Sequence, residues 1–129
     1  FDAESDNSFL PHNYPQNCVV YSGTHDNDTS KGWYVQAPEY ERHLARTYSQ
    51  SDGTHINWAF IRLGMLSVGD QAIFPLQDFM GLSTEHRMNF PGTSSGNWLW
   101  RYTTEMLQEI DRNKICSLIH LSNRHDRNK

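Results

Sequence analysis

The feature that most constrains the fold is a short apolar run that ends in a cluster of charged and polar residues. The run is Cys18–Tyr21, and the loop after it contains His25, Asp26 and Asp28. An apolar run of this length, bounded by turn residues, is typical of a buried strand in a parallel sheet. In α/β barrels the catalytic groups lie in the loops that follow the carboxyl ends of such strands. The junction therefore predicts a parallel-sheet protein with an active site after its strand.

A second junction of the same kind lies further along the chain. Ala72–Leu76 is largely apolar, and Gln77 and Asp78 follow it directly. Pro75 lacks the N–H that a central strand donates, so we expect it at the end of the strand. Strands that alternate with helical segments predict an α/β fold made of two β/α units with a parallel sheet.

The segments between the strands carry helical signals. Pro38 suits the first turn of a helix, and Ile56, Phe60 and Leu63 recur at the spacing of one helical face. We predict loops at 1–17, 23–33 and 83–97, strands at 18–22 and 72–76, and helices at 39–48, 56–66, 103–113 and 115–122.

Length limits what the chain contains by itself. It has 129 residues, whereas a complete (β/α)₈ barrel needs about 250. A barrel interpretation thus predicts that residues 1–129 are part of one catalytic barrel domain. The first residue is Phe1 rather than Met, which favours the same interpretation.

Composition argues against several classes of function. The net charge of −4 gives no electrostatic attraction for nucleic acid. No apolar stretch reaches the roughly 18 residues of a membrane helix. The two cysteines, Cys18 and Cys116, share no short metal-binding spacing, and a reduced, intracellular setting is the default.

The first polar loop has two interpretations from its residues alone. A fixed carboxylate at Asp26 and an imidazole at His25 are suited to bind a sugar whose ring is distorted towards an oxocarbenium ion. The alternative is an acidic turn whose side chains cap the backbone. Composition does not decide between them.

A calcium loop fits less well. Asp26, Asp28 and Ser30 match the first three ligand positions of an EF-hand, but Lys31 stands where Gly is required and Ala37 where Glu is required. The seven His residues show no zinc-binding spacing. We therefore expect no metal.

Other polar residues are weaker candidates. Asp78 is suited either to orient a sugar or to brace a loop, and Asn89 has an amide that both donates and accepts hydrogen bonds. One of Trp98 and Trp100 is expected to line a groove while the other packs inwards. Asn13 lies in a first loop that reaches the pocket rim or is solvated.

Five ordered blocks together resemble a known family. They are Leu10-Pro11-His12-Asn13-Tyr14, Val20-Tyr21-Ser22-Gly23-Thr24-His25-Asp26-Asn27-Asp28-Thr29, Pro75-Leu76-Gln77-Asp78, Arg87-Met88-Asn89-Phe90-Pro91-Gly92 and Gly96-Asn97-Trp98-Leu99-Trp100-Arg101. In this order they resemble the 4-α-glucanotransferases, which are the amylomaltases or disproportionating enzymes of glycoside hydrolase family 77.

The resemblance implies a retaining transfer of α-1,4-glucan segments between malto-oligosaccharides in the cytoplasm or plastid stroma, with no cofactor. By this resemblance, Asp26 stabilises the transition state, and His25 binds hydroxyl groups of the sugar at the cleavage point. Substrate contacts are expected from the remaining candidates, which are Asn13, Asp28, Asp78, Asn89 and Trp98.

The main departure of the chain from the family concerns two catalytic motifs; Ser22 where Thr is common and Gly69-Asp70 where Ala is common are mild changes. The nucleophile motif, Arg-x-Asp-His-Phe, and the acid/base motif, Glu-Asp-Leu-Gly, do not occur in it. The resemblance places both upstream of Phe1, which implies that this chain is the C-terminal part of the catalytic domain, with the last two β/α units of a (β/α)₈ barrel. The rest of the barrel is therefore an expected partner. We predict that the isolated chain is inactive and, with Val19, Ile56 and Phe60 unpartnered, prone to aggregate.

Two rival functions remain open at this point. One is a glucan-binding module without catalytic activity, and the other is an α/β domain whose acidic loop binds a cation or a protein. A nucleophile Asp and an acid Glu upstream would favour the enzyme over the first rival. Binding of maltotriose would separate both glucan-dependent functions from the second.

Overall fold

The computed structural model describes residues 4–125, which form two strands and six α-helices. None of these helices has both the length and the apolar character that crossing a bilayer demands. Single 3₁₀ turns lie at Pro11–Asn13 and Thr84–His86. In chain order the elements are β1 (Val19–Tyr21), α1 (Ser30–Gln36), α2 (Glu39–Ser49), α3 (Ile56–Leu66), β2 (Gln71–Ile73), α4 (Leu76–Met80), α5 (Thr104–Gln108) and α6 (Arg112–Leu121).

The two strands form a parallel sheet. Val20 pairs with Ala72, and Val19 and Tyr21 pair with Gln71 and Ile73. Since the strands run the same way, their carboxyl ends lie at one edge, and the loops after β1 and β2 begin there. A mixed α/β fold with a parallel sheet is therefore confirmed.

The core lies between the sheet and two helices. Ile61 and Met65 on α3 meet Leu118 on α6, and all three are at most 9% exposed. Burying an aliphatic side chain of this size contributes roughly 1.5–3 kcal/mol. Around this cluster pack partly buried side chains, namely Trp58, Ala72, Phe74, Phe79 and Ile119.

The helices predicted at 39–48 and 56–66 are confirmed as α2 and α3. The predicted loop 23–33 is wrong at its end, because α1 begins at Ser30, where the Thr29 hydroxyl accepts a hydrogen bond from the Gly32 N–H. Thr29 is thus the N-cap of α1. The sequence did not reveal this helix start, because Gly32 in the first turn is a poor helix former.

The predicted strand 72–76 is also too long. β2 ends at Ile73, and Pro75 is the N-cap of α4. Proline has no N–H to continue the ladder, whereas its fixed φ suits the start of a helix. The predicted break near residue 114 is displaced as well: Asp111 accepts from the Lys114 N–H, so α6 starts at Arg112.

The expectation of unpartnered apolar side chains is only partly met. Ile56 is 1% exposed, so the prediction that it lacks a partner is wrong: the side chain is buried within the part of the chain that the structure describes. Phe60 packs its ring 5.6 Å from that of Trp33. Val19, by contrast, is 42% exposed on β1.

Candidate functional site

The loop after β1, residues 23–29, is shaped by a side chain of its own. Asn27 Oδ1 accepts from both the backbone N–H and the hydroxyl of Thr24, at 2.8 and 3.0 Å. The Asn27 N–H in turn donates to the Thr24 carbonyl. This tight turn lifts His25 and Asp26 to the surface, where half of each side chain is exposed.

Asp26 is the point at which two distant loops meet. Its Oδ1 accepts a hydrogen bond of 2.7 Å from Asn89 Nδ2, across a sequence separation of 63 residues. His25 Nε2 lies 3.4 Å from the same oxygen. The backbone carbonyl of Asp26 accepts from Arg87 Nη2 at 3.0 Å. Of the predicted residues, His25, Asp26 and Asn89 are therefore brought together.

Trp98 joins this cluster through its ring. Its centroid lies 5.0 Å from that of His25, with the planes tilted by 40°. Its backbone is left-handed, with φ of 63°, and its N–H donates to the Met88 carbonyl at 2.7 Å. A bulky residue rarely adopts this conformation, so the surrounding loop holds it in place. The Trp98 ring remains 53% exposed, as a groove-lining residue would be.

A cavity of about 510 Å³ opens beside the cluster. His25 and Trp98 line it, together with Asp28 and Arg87, whereas Asp26 and Asn89 are not among its lining residues. A second cavity of about 500 Å³ also has residues of the loop in its lining and reaches the first segment at Phe9. The loop 23–29 thus borders two concave surfaces.

Asp28 and Asp78 are engaged within the protein. Asp28 accepts from the Thr29 N–H and from the Thr84 hydroxyl, at 2.8 and 2.9 Å. Asp78 is 1% exposed and accepts from Ser22 and Ser30. For Asp78 these contacts favour bracing, the second of the two roles that the sequence allowed.

Asn13 is not brought to the cluster. Its Nδ2 donates to the backbone carbonyls of Ser5 and Asn7, both at 2.9 Å, so the amide organises its own loop. Phe9 and Pro11, not Asn13, line the cavity next to this loop.

Arg87 is a residue that sequence reasoning quoted in a motif but gave no role. It links the two loops through the Asp26 carbonyl, and its guanidinium also lies 4.6 Å from the centre of the Phe90 ring. The sequence offered one indication of this role: an arginine stands two residues before Asn89, and a loop that binds a carboxylate-bearing loop needs hydrogen-bond donors.

The cluster offers an exposed carboxylate, an imidazole, an amide and an aromatic face. Such a set suits a ligand with several hydroxyl groups and a developing positive charge. Within residues 4–125, no group of three or more His, Cys, Asp or Glu side chains is placed to share a metal ion.

Comparison with known proteins gives a consistent result. The family model of glycoside hydrolase family 77, described as 4-alpha-glucanotransferase, matches residues 1–107. The 4-alpha-glucanotransferase of Synechocystis sp. is 47% identical over an alignment of 113 residues, and the match covers 84% of this chain and 22% of that protein. That of Thermus thermophilus is 47% identical over an alignment of 109 residues, and the match covers 78% of this chain and 22% of that protein.

A solved structure agrees with the sequence relatives. The amylomaltase from Streptococcus agalactiae in complex with acarbose superposes with a TM-score of 0.88 at 29% identity, covering 98% of this chain and 26% of that one. The chain thus spans about a quarter of the length of the proteins it matches. On the family match and these relatives, the chain belongs to the 4-alpha-glucanotransferases of glycoside hydrolase family 77.

Proposed function

We propose that this chain is part of the catalytic barrel of a 4-α-glucanotransferase and that Asp26 is its transition-state-stabilising carboxylate. The observation that carries the proposal is the 2.7 Å hydrogen bond from Asn89 to Asp26, which fixes an exposed carboxylate between two loops. Membership of the family and the resemblance of the sequence motifs support the same role.

The reaction is a retaining double displacement. A nucleophilic carboxylate forms a bond to the anomeric carbon while the bond to the leaving glucan oxygen breaks, and a general acid protonates that oxygen. The 4-hydroxyl of a second glucan then attacks the same carbon, its proton passes to the conjugate base, and the carboxylate leaves. This chain lacks the motifs of the nucleophile and the acid, so both come from the remainder of the protein.

The residues of this chain act on the charge and shape of the sugar. Both steps pass through an oxocarbenium-like state, and the negative charge of Asp26 attracts that state more strongly than the ground state. Asn89 fixes one carboxylate oxygen and leaves the other free to accept from sugar hydroxyls. His25 holds hydroxyl groups at the cleavage point, with its ring beside Trp98.

The parallel strands are proposed to be the last two of a (β/α)₈ barrel. Val19, Tyr21 and Ile73 are between 42% and 50% exposed on the two strands. Strands and helices of the remainder of the protein would cover these side chains and close the sheet. The carboxyl ends of all strands then meet at one pocket, where the other two catalytic carboxylates join Asp26.

The substrates are proposed to be malto-oligosaccharides and longer α-1,4-glucans. The structural relative is in complex with acarbose, and the rim of the cavity at Trp98 supplies an aromatic face on which a pyranose ring stacks. Relatives from rice and Arabidopsis are chloroplastic or amyloplastic. We accordingly propose the cytoplasm or the plastid stroma as the location.

The test is disproportionation of maltotriose by the full-length protein, followed by chromatography of the products. We expect shorter and longer saccharides from the wild type, and a loss of about 1,000-fold or more in kcat for Asp26→Asn. The matched control is Asp6→Asn, an exposed position on the first segment. An Asp26→Asn protein with wild-type turnover would overturn the role of Asp26, and tight glucan binding without turnover by the wild type would favour the binding-module alternative.

A further inference from the structure

Asp78 is among the most deeply buried side chains of the molecule. It lies in the first turn of α4 and is 1% exposed. Its Oδ1 accepts from the Ser30 N–H at 2.8 Å, and its Oδ2 accepts from the Ser30 hydroxyl at 2.8 Å and from the Ser22 hydroxyl. Both carboxylate oxygens are therefore occupied by donors within the protein.

The two serines that donate to Asp78 lie at opposite ends of one loop. Ser22 directly follows β1, and Ser30 is the first residue of α1. Between them lies only the loop 23–29, which carries His25 and Asp26. One buried carboxylate thus bonds the residues at both ends of the loop.

Asp78 is itself fixed to the core of the fold. Asn57 of α3, 5% exposed, donates its Nδ2 to the Asp78 backbone carbonyl at 2.8 Å. The chain of contacts therefore runs from α3 through the first turn of α4 to the two ends of the loop. Each member is buried or half-buried, so solvent offers little substitute for a lost partner.

We propose that Asp78 is a positioning residue that sets the conformation of the loop 23–29, and through it the place of Asp26, without contacting the glucan. The proposal rests on the proposed function for its kinetic consequences. The loop geometry itself does not depend on the reaction. A displacement of about 1 Å at a reacting centre can cost a factor of about 100 in rate. The hydrogen bonds that Asp78 accepts at the two ends of the loop therefore affect kcat without any contact to the substrate.

The decisive variant is Asp78→Asn in the full-length protein. The amide keeps the shape and an acceptor oxygen for the Ser30 N–H, but it removes the negative charge and puts a donor where Oδ2 was, so the hydroxyls of Ser22 and Ser30 must turn from donating to accepting and the charge-assisted hydrogen bonds are lost. We expect kcat on maltotriose to fall about tenfold or more, with KM changed by less than about threefold, because an interaction that positions the catalytic carboxylate matters most in the transition state. Ser22→Ala removes one of the donors to the Asp78 carboxylate. In the Asp78→Asn background, Ser22→Ala should lower kcat little further.

A measurement independent of activity accompanies the kinetics. In Asp78→Asn, the backbone amides of the loop 23–29 should exchange with deuterium faster than in the wild type, while the amides of α6 should not. The matched control is Ile61→Val, at a 1% exposed position in the apolar cluster with Met65 and Leu118. Its side chain makes no hydrogen bond to the loop or to Asp78. It should lower stability without a local change at the loop.

The outcomes are distinguishable. Unchanged kcat and unchanged loop exchange in a folded Asp78→Asn protein overturn the proposal, and so does a loss of kcat that Ile61→Val reproduces at equal stability. If Asp78→Asn does not fold, Ser22→Ala decides by the same two measurements. If the wild type does not rearrange maltotriose, the proposed function fails, and the exchange data still decide the role of Asp78.

Discussion

The exposed cluster at the carboxyl ends of the parallel strands and a single arginine at the amino end of β2 use their charged groups in opposite ways. At the carboxyl ends of the strands, Asp26 and His25 are half exposed, and their polar atoms face a neighbouring loop and solvent. At the amino end of β2, Arg124 donates to the carbonyls of Met65, Ser67 and Gly69 at 2.8, 3.0 and 2.8 Å. The first group keeps polar atoms exposed, and the second uses its donors on the backbone.

The physical reason lies in how each charge is satisfied. The Arg124 guanidinium makes four hydrogen bonds to backbone carbonyls around the turn between α3 and β2, so four of its five N–H donors are used in holding that turn. A carboxylate with one oxygen bonded to an amide keeps acceptor capacity for a substrate. The exposed cluster of His25 and Asp26 therefore keeps polar atoms available at the carboxyl ends of the strands, whereas Arg124 is committed to the backbone at the amino end of β2. The carboxyl ends carry a structural charge as well, because Asp78 is buried there and bonded to Ser22 and Ser30.

Among the variants that test this comparison, Asn89→Asp is expected to have the largest effect, because it changes the hydrogen bond to Asp26 at the carboxyl ends of the strands. A second carboxylate at hydrogen-bond distance from Asp26 makes the pair share a proton at low pH and repel at neutral pH. Activity of the full-length protein should fall about 100-fold at neutral pH. It should recover in part as the pH is lowered, since a protonated carboxyl group at position 89 can donate as the amide does.

The measurement is a pH profile of kcat on maltotriose for the variant and for Asn113→Asp, an exposed position on α6. The control should follow the wild type. A loss that is the same at every pH would contradict the shared-proton explanation.

The next effect tests whether the carboxyl end is as free of packing constraints as its exposure suggests. A Cβ on Gly32 would overlap Asp28 Oδ1 and Thr84 Oγ1. Gly32→Ala should therefore destabilise the protein by about 2–3 kcal/mol, despite the better helix propensity of alanine. Lys31→Ala, at an exposed position of the same helix, should change stability by less than about 0.5 kcal/mol. Chemical denaturation of the full-length variants decides; equal stability of the two would show that the loop relaxes freely.

The amino end is probed by Arg124→Ala. Several carbonyls of the α3–β2 turn lose a charged donor, and water replaces only part of it, so we expect a loss of about 2 kcal/mol. Activity at a temperature where both proteins are folded should stay within about twofold of the wild type. Arg112→Ala, exposed at the start of α6, serves as the control. A selective loss of kcat in Arg124→Ala would remove the distinction between the two ends.

The smallest effect is expected away from both ends, on α2. Glu39 pairs with Arg46 and, at 2.9 Å, with Arg42, and the hydrogen bond from Arg46 is the main reason that the pKa of Glu39 is lowered from 4.5. A lowered folded-state pKa stabilises above the unfolded value, and that contribution is lost as the pH falls through the folded value. Because Glu39 is exposed, the contribution is small.

The corresponding experiment compares the thermal midpoints of the wild type and Glu39→Gln between pH 7 and acidic pH. The difference should be slight at pH 7 and vanish as the pH falls below 4.5, the ordinary pKa of a glutamate. Glu109→Gln, exposed and outside the pair, should show no such trend. A difference that grows with acidity would have the wrong sign for this ion pair.

Sequence patterns recovered the elements whose signals are local. The apolar run before Tyr21 marked β1, and the spacing of Ile56, Phe60 and Leu63 marked α3. Helices α1 and α4 were missed because their starts depend on single capping residues, Thr29 and Pro75, rather than on periodicity.

Long-range side-chain contacts were less accessible. The resemblance to a family named Asp26, His25 and Asn89, but no spacing could show that Asn89 reaches Asp26 across 63 residues. The same limit applies to Asp78, whose two possible roles differ only in which way its carboxylate points. Arg124 gave no signal, since an isolated arginine among polar residues is usually solvated.

The pairing of β1 with β2 has a consequence for synthesis on the ribosome. Val19 and its partner Gln71 are about 50 residues apart, so at translation rates of about 5–20 residues per second the first strand emerges roughly 3–10 s before the second exists. During that interval β1 has no β2 to pair with, and its apolar edge stays open in the nascent polypeptide.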